Sequence, residues 1–183
     1  KYPLPTRSDW KKGTLYCFDE ETGESLWQFT SNEEQRGGTI GQFGLTTAPV
    51  VEGNRLYVFG GRNYVFCMTT EGLGAGNVGP ITNEEEFYKI KAPYTLEDND
   101  ADMVWQFEAW RHWPKINYHN AYAYSPLVVG DYIYSSTGNG AVKDLEYMTT
   151  DHPPRKNADV PTLMMLDKKT GKLLAHDTEL MGR

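Results

Sequence analysis

The side chains best able to bind or react fall in a few short stretches of this 183-residue chain. Asp98-Asn99-Asp100-Ala101-Asp102 sets carboxylates at alternate positions. Short acidic and amide side chains spaced in this way can turn their oxygens towards one calcium ion. The full loop also needs Gly at its sixth position and Glu at its twelfth. Met103 and Ala109 stand there instead, so the expected reading is a solvated acidic turn. Arg62, Arg111 and Arg155 offer guanidinium forks to an anion. Arg111-His112-Trp113-Pro114 reads either as an aromatic rim facing a ligand or as a packed loop. His112 and His119 lack a second pair of ligands at zinc-site spacing and read as surface or core-edge histidines. Gly138-Asn139-Gly140 has the composition of a tight turn, with Asn139 bonding to nearby backbone.

These residues depend on strands to position them. Thr14 to Phe29, TLYCFDEETGESLWQF, reads as a β-hairpin with a turn at Asp19-Glu20-Glu21-Thr22-Gly23. It recurs as Thr162 to Asp177, TLMMLDKKTGKLLAHD, with Asp19/Asp167, Thr22/Thr170 and Gly23/Gly171 aligned. An Asp opening such a turn accepts hydrogen bonds from backbone N–H groups two or three residues on. The Gly supplies the left-handed conformation that closes the turn with a bulge. Trp27 can then lie over its own hairpin or over the next sheet. Tyr64-Val65-Phe66-Cys67-Met68-Thr69 is a third copy of the outgoing strand, its return delayed to Asp102-Met103-Val104-Trp105-Gln106-Phe107.

A second hairpin type alternates with the first. Ala48-Pro49-Val50-Val51, a turn at Glu52-Gly53-Asn54, and Arg55 to Phe59 recur as Ser125-Pro126-Leu127-Val128, Val129-Gly130-Asp131 and Tyr132 to Ser135. Each Pro suits a strand start, where no N–H is required. An isolated hairpin is marginal in water, so repeated ones imply stacked sheets sharing a core. The resulting plan is all-β, a β-propeller segment of about two and a half four-stranded antiparallel blades. Expected bounds are 13–30 for a lone hairpin, 46–108 for a blade with an insertion at 70–101, and 123–178 for a blade with an insertion at 141–161. Within the first insertion, Asn83 to Ile90 has the signature of a capped short helix. Propellers close with roughly four to eight blades, so the remaining blades are expected from a longer chain or another copy.

Composition narrows the function. Net charge is -7, and Lys and Arg occur at most as adjacent pairs, so nucleic-acid binding is not expected. No apolar run approaches the length of a membrane span. Cys17 and Cys67 occupy the same position of the repeat and read as small core residues. A disulfide needs Cα atoms within about 7 Å, which equivalent positions on neighbouring sheets rarely satisfy. In a meander of this kind the longer connections, with the candidate binding residues, share one end of the sheets.

The run Cys17-Phe18-Asp19-Glu20-Glu21-Thr22-Gly23-Glu24-Ser25-Leu26-Trp27 resembles the tryptophan-docking repeat of PQQ-type (quinoprotein) β-propellers. Thr162 to Asp177 resembles it too, with Ala175 in place of the Trp. The resemblance covers about residues 13–181. Leu166-Asp167-Lys168-Lys169-Thr170-Gly171-Lys172 and Asp102-Met103-Val104-Trp105 resemble the long-insertion members typical of planctomycete-type bacteria. In quinoprotein alcohol dehydrogenases, the resemblance implies, Thr137-Gly138-Asn139 would give an Asn oxygen to a Ca²⁺ that polarises PQQ. Arg62 is kept from the preceding blade, but Val58 stands at the position of a Glu ligand. His119 aligns with a Trp that stacks on the quinone. Cofactor contacts would thus fall to Arg62, His119 and Asn139, with Asn139 as metal ligand and no catalytic residue in this segment. Calcium wants six to eight oxygens, carboxylates among them, so neither PQQ nor calcium is expected here. The expected function is a non-catalytic scaffold binding a protein or carbohydrate partner. The alternative is a PQQ- and calcium-dependent alcohol or sugar dehydrogenase with a degenerate site. The resemblance implies a periplasmic or extracellular location.

Overall fold

A computed structural model of the chain describes residues 13–31, 45, 47–60, 64–86, 95–114, 125–137 and 160–177. These residues form an all-β fold of antiparallel sheets, a partial β-propeller. The first unit is a hairpin of β1 (Gly13–Phe18) and β2 (Ser25–Ser31). The second is a four-stranded sheet in the order β3 (Val50–Glu52), β4 (Arg55–Gly60), β5 (Tyr64–Thr69), β6 (Met103–Glu108). The third repeats it with β7 (Leu127–Val129), β8 (Tyr132–Ser136), β9 (Leu163–Asp167) and β10 (Leu173–His176). All strand pairs are antiparallel.

The Asp turns have the chemistry their sequence implies. Asp19 Oδ1 accepts the N–H groups of Glu21 (3.1 Å) and Thr22 (2.7 Å) and the Thr22 hydroxyl (2.8 Å). The Gly23 N–H closes the turn on the Asp19 carbonyl at 2.9 Å. Asp167 repeats this with Thr170, at 2.8 and 2.7 Å, and with Gly171 at 2.9 Å. The accepted bonds favour the ionised carboxylate and hold Asp19 and Asp167 below the usual range, the Thr hydroxyl bond contributing most. In the second sheet Thr69 replaces the Asp, and its hydroxyl accepts the Gly72 N–H at 3.2 Å.

Two apolar layers separate the three units. Period-two alternation sends Leu56, Val58, Phe66 and Met68 to one side of the second sheet, where they meet Trp27 and Phe29 of the hairpin. Tyr57, Phe59, Val65, Cys67, Trp105 and Phe107 go to the other side and meet Ile133, Met164 and Leu166 of the third sheet. Each tryptophan reaches the neighbouring unit rather than covering its own turn. The Trp27 indole N–H donates to the Thr70 carbonyl at 2.8 Å, and that of Trp105 to the Lys168 carbonyl at 3.1 Å. A Cβ on Gly72 would lie 2.7 Å from the Trp27 ring, and one on Gly171 2.5 Å from the Trp105 ring. Glycine is therefore required under each ring as well as for the positive φ of the turn.

The insertion after β5 is part of this packing. Its described end runs beside β2: the Gln28 N–H donates to the Asn99 carbonyl at 2.9 Å, and the Ala101 N–H to the Gln28 carbonyl at 3.0 Å. This corrects the expectation of a solvated acidic turn. Asp98 is exposed, but Asp100 and Asp102 are fully buried. Asp100 Oδ2 accepts the Glu97 N–H at 2.9 Å, and the Asp102 carboxylate accepts those of Val78 and Gly79 at 3.2 and 3.4 Å. Their oxygens are turned onto backbone donors, not onto a common metal centre. The expected short helix starts as a single 3-10 turn at Glu84–Glu86, and residues 87–90 lie outside the described residues.

Candidate functional site

A ladder of rings occupies the end of the sheets opposite the Asp turns. β6 ends at Glu108, and Ala109–His112 wind into a one-turn helix, α1. The Trp113 N–H closes that turn on the Ala109 carbonyl at 2.9 Å. Ala109, with the smallest side chain of the turn, is buried against the layer between the second and third sheets. This brings His112 back over the strand it has just left. Its ring stacks on Phe107 with centroids 4.9 Å apart and 19° between planes. Trp113 follows at 5.7 Å from His112 and meets His176, at the end of β10, edge to face at 5.3 Å. Phe107 is buried, Trp113 half-buried, and His112 and His176 exposed, so the ladder runs from the core to the surface.

Trp110 and Arg111 extend the rim. The Trp110 indole N–H donates to the Tyr64 hydroxyl at 3.1 Å, and Tyr64 lies flat on Phe66 at 5.5 Å. The Arg111 guanidinium sits 5.0 Å from the Trp110 ring centroid and pairs with Glu108, which also accepts Gln106 Nε2 at 2.7 Å. The hydrogen bond to Glu108 raises the pKa of Arg111 further, so this cation persists at any working pH. A cation over an indole beside half-buried rings can take a flat apolar face, a planar anion or an aromatic side chain.

The described geometry shows the packing reading of Arg111-His112-Trp113-Pro114, the rings lying on one another, and leaves His112 and Arg111 exposed to solvent. His176 was not singled out in the sequence. Its signal was its place one residue beyond Ala175, at the end of the last described strand. Arg62, His119, Asn139 and Arg155 lie outside the described residues. Thr137 is described, and its buried hydroxyl donates to the Pro161 carbonyl. Val58, at the position of the implied carboxylate ligand, is fully buried between the hairpin and the second sheet. Its side chain offers a calcium ion no oxygen, and its surroundings are hydrocarbon and aromatic. Among the described residues no group of three or more His, Cys, Asp or Glu side chains is placed to hold a metal ion. Both cysteines are free, and no described helix is long and apolar enough to cross a membrane.

Residues 11–73 match a family model of PQQ-type repeats described as outer membrane protein assembly factor BamB. The match spans the hairpin, β3 to β5 and the Gly72 turn. It supports a PQQ-like repeat. No curated protein matches the chain.

Proposed function

We propose that this chain is a non-catalytic binding scaffold of the PQQ-like propeller type, taking a protein or carbohydrate partner on its aromatic rim. One observation carries the reading: the continuous ladder Phe107, His112, Trp113 and His176, anchored in the core and ending in solvent. Core anchoring holds the rings before a ligand arrives, so little freedom remains to be lost on binding. Stacking on such rings serves the C–H face of a sugar and the apolar side chains of a peptide alike. The matched family model is named for an outer-membrane assembly factor, which favours a periplasmic or extracellular setting. The long insertions favour the planctomycete-type subgroup.

The test is fluorescence and calorimetric titration with soluble oligosaccharides in one arm and aromatic-containing peptides in the other. Saturable binding that Trp113→Ala and His112→Ala abolish, with the melting temperature unchanged, supports the rim. Binding that survives both variants removes it. The dehydrogenase alternative is separated by titrating the complete protein with PQQ and Ca²⁺. Stoichiometric quinone binding lost in Asn139→Ala would replace the scaffold reading with the oxidoreductase one.

A further inference from the structure

The insertion after β5 covers the outer edge of β2. Gln28 gives its N–H to the Asn99 carbonyl and takes the Ala101 N–H on its own carbonyl, a parallel bridge centred on Asp100. The Leu73 N–H, from the start of the same insertion, donates to the Asp100 carbonyl at 2.9 Å. Two buried carboxylates hold the middle of the insertion in place. Asp102 accepts the N–H groups of Val78 and Gly79, and Glu84 Oε1 accepts Asn77 Nδ2. Three consecutive residues are thus gripped by two acids. They run so close to β6 that a Cβ on Gly79 would stand 2.3 Å from the Met103 carbonyl oxygen.

Glu84 is the weak member of this grip. It is fully buried, yet its Oε2 has no hydrogen-bond partner. An ionised carboxylate with a bare oxygen is costly in such a place, and the neutral acid far less so. Among the described residues the charge that bears on Glu84 is Asp102, of the same sign. The other acidic side chains of the insertion lie elsewhere. Glu71, Glu85, Glu86, Glu97 and Asp98 are exposed, and Asp100 is turned onto the Glu97 N–H. β2 brings no charged side chain.

We propose that the insertion is a proton-dependent clamp on the edge of β2. With Glu84 protonated, residues 77–79 stay seated and residues 99–101 stay paired with Gln28. When the Glu84 proton passes to solvent, two like charges share one dry site, and they regain water only if residues 77–79 lift away. Lifting takes the two N–H donors from Asp102, whose neighbour Ala101 is bonded to Gln28. The strand ladders and apolar layers lose nothing in this step, so the clamp opens ahead of the fold.

The experiment is amide hydrogen exchange, resolved by residue with NMR, on the whole chain from acid to neutral pH. Protection at Gln28, Leu73, Gly79 and Ala101 should fall by up to about tenfold per pH unit above pH 4.5, the ordinary Glu value, and level off beyond the raised one. Protection at Thr137 and Lys168, in the third unit, should stay constant. Glu84→Gln keeps the shape without the charge, so its profile should be flat throughout. Asp102→Asn removes the neighbouring charge and should shrink the loss. A flat profile in the wild type, or an equal slope in Glu84→Gln, overturns the proposal. So does full recovery of protection on adding Ca²⁺ at neutral pH, which would give the bare oxygen to a cation instead of a proton. If Glu84→Gln melts early, Asp102→Asn decides, and an unchanged profile there counts against the clamp.

Discussion

Cys67 sits where the second and third sheets meet, paired across the strands with Tyr57 and Trp105. Burial pushes its thiol up to about 12, and desolvation does the same to the Tyr57 phenol, also to about 12. Only a thiolate is a good nucleophile. Iodoacetamide should therefore modify half-buried Cys17, also raised by burial, well before Cys67 in the native protein. Peptide mapping that found equal rates would contradict this packing. Glu84 presents a second buried group. It is fully enclosed, Oε1 accepts Asn77 Nδ2 at 2.9 Å, and Oε2 has no hydrogen-bond partner. Burial, with the Asp102 charge adding to it, raises its pKa above the ordinary value of 4.5. The folded protein thus holds a proton that the unfolded chain releases. The stability this group contributes is complete below pH 4.5 and is lost as pH rises through the folded value. Denaturant melts of wild type and Glu84→Gln should converge in acid and separate towards neutrality, the variant being the more stable; parallel pH curves would refute it. The burial of Cys67 was legible from its place in the repeat, whereas that of Glu84 and of Asp102 was not. An Asp-x-Asp-x-Asp string reads as a wet turn, because the N–H groups that Asp102 accepts belong to Val78 and Gly79, far away in sequence.

Glycines 23 and 171 close the same turn at nearly the same φ, 70° and 69°, yet their surroundings differ. Replacing either by Ala carries the left-handed backbone cost, about 1–2 kcal/mol. Only at Gly171 does the new methyl also strike the Trp105 ring. Gly171→Ala should lower the melting temperature more than Gly23→Ala, and Trp105→Ala should cancel the excess when the two are combined. Trp105→Ala alone should cost roughly 3–5 kcal/mol, as for other buried aromatics. Equal penalties at both glycines would mean that the indole does not press on the turn. At this scale the sequence was informative: two hairpin types with aligned turns and period-two apolar runs specify the strands and their antiparallel order. It was silent on the neighbour each Trp chooses, since a ring four residues past a turn can reach its own hairpin or the next one. It was silent also on α1, four residues whose helical turn is held by packing of Ala109 rather than by propensity.

Among the described residues the units are held by apolar layers, with a surface ion pair between the second and third: Lys168 Nζ lies 2.6 Å from Glu52 Oε2. Its partners are partly exposed, so Glu52→Gln should shift stability by under about 1 kcal/mol. A larger loss on thermal melting would assign the second-to-third sheet contact to charge rather than to burial. The rim was half legible for a related reason. Arg111, His112 and Trp113 are consecutive and drew notice, whereas His176 joins them only because the third sheet packs on the second. Arg62, His119 and Asn139 lie outside the described residues. The crossed placement of the two buried indoles has an optical consequence. Trp27 emits from an environment made by residues 70–72, and Trp105 from one made by residues 168–171. Their fluorescence therefore monitors the unit next door, and loosening one turn should redden a chromophore carried by a different sheet.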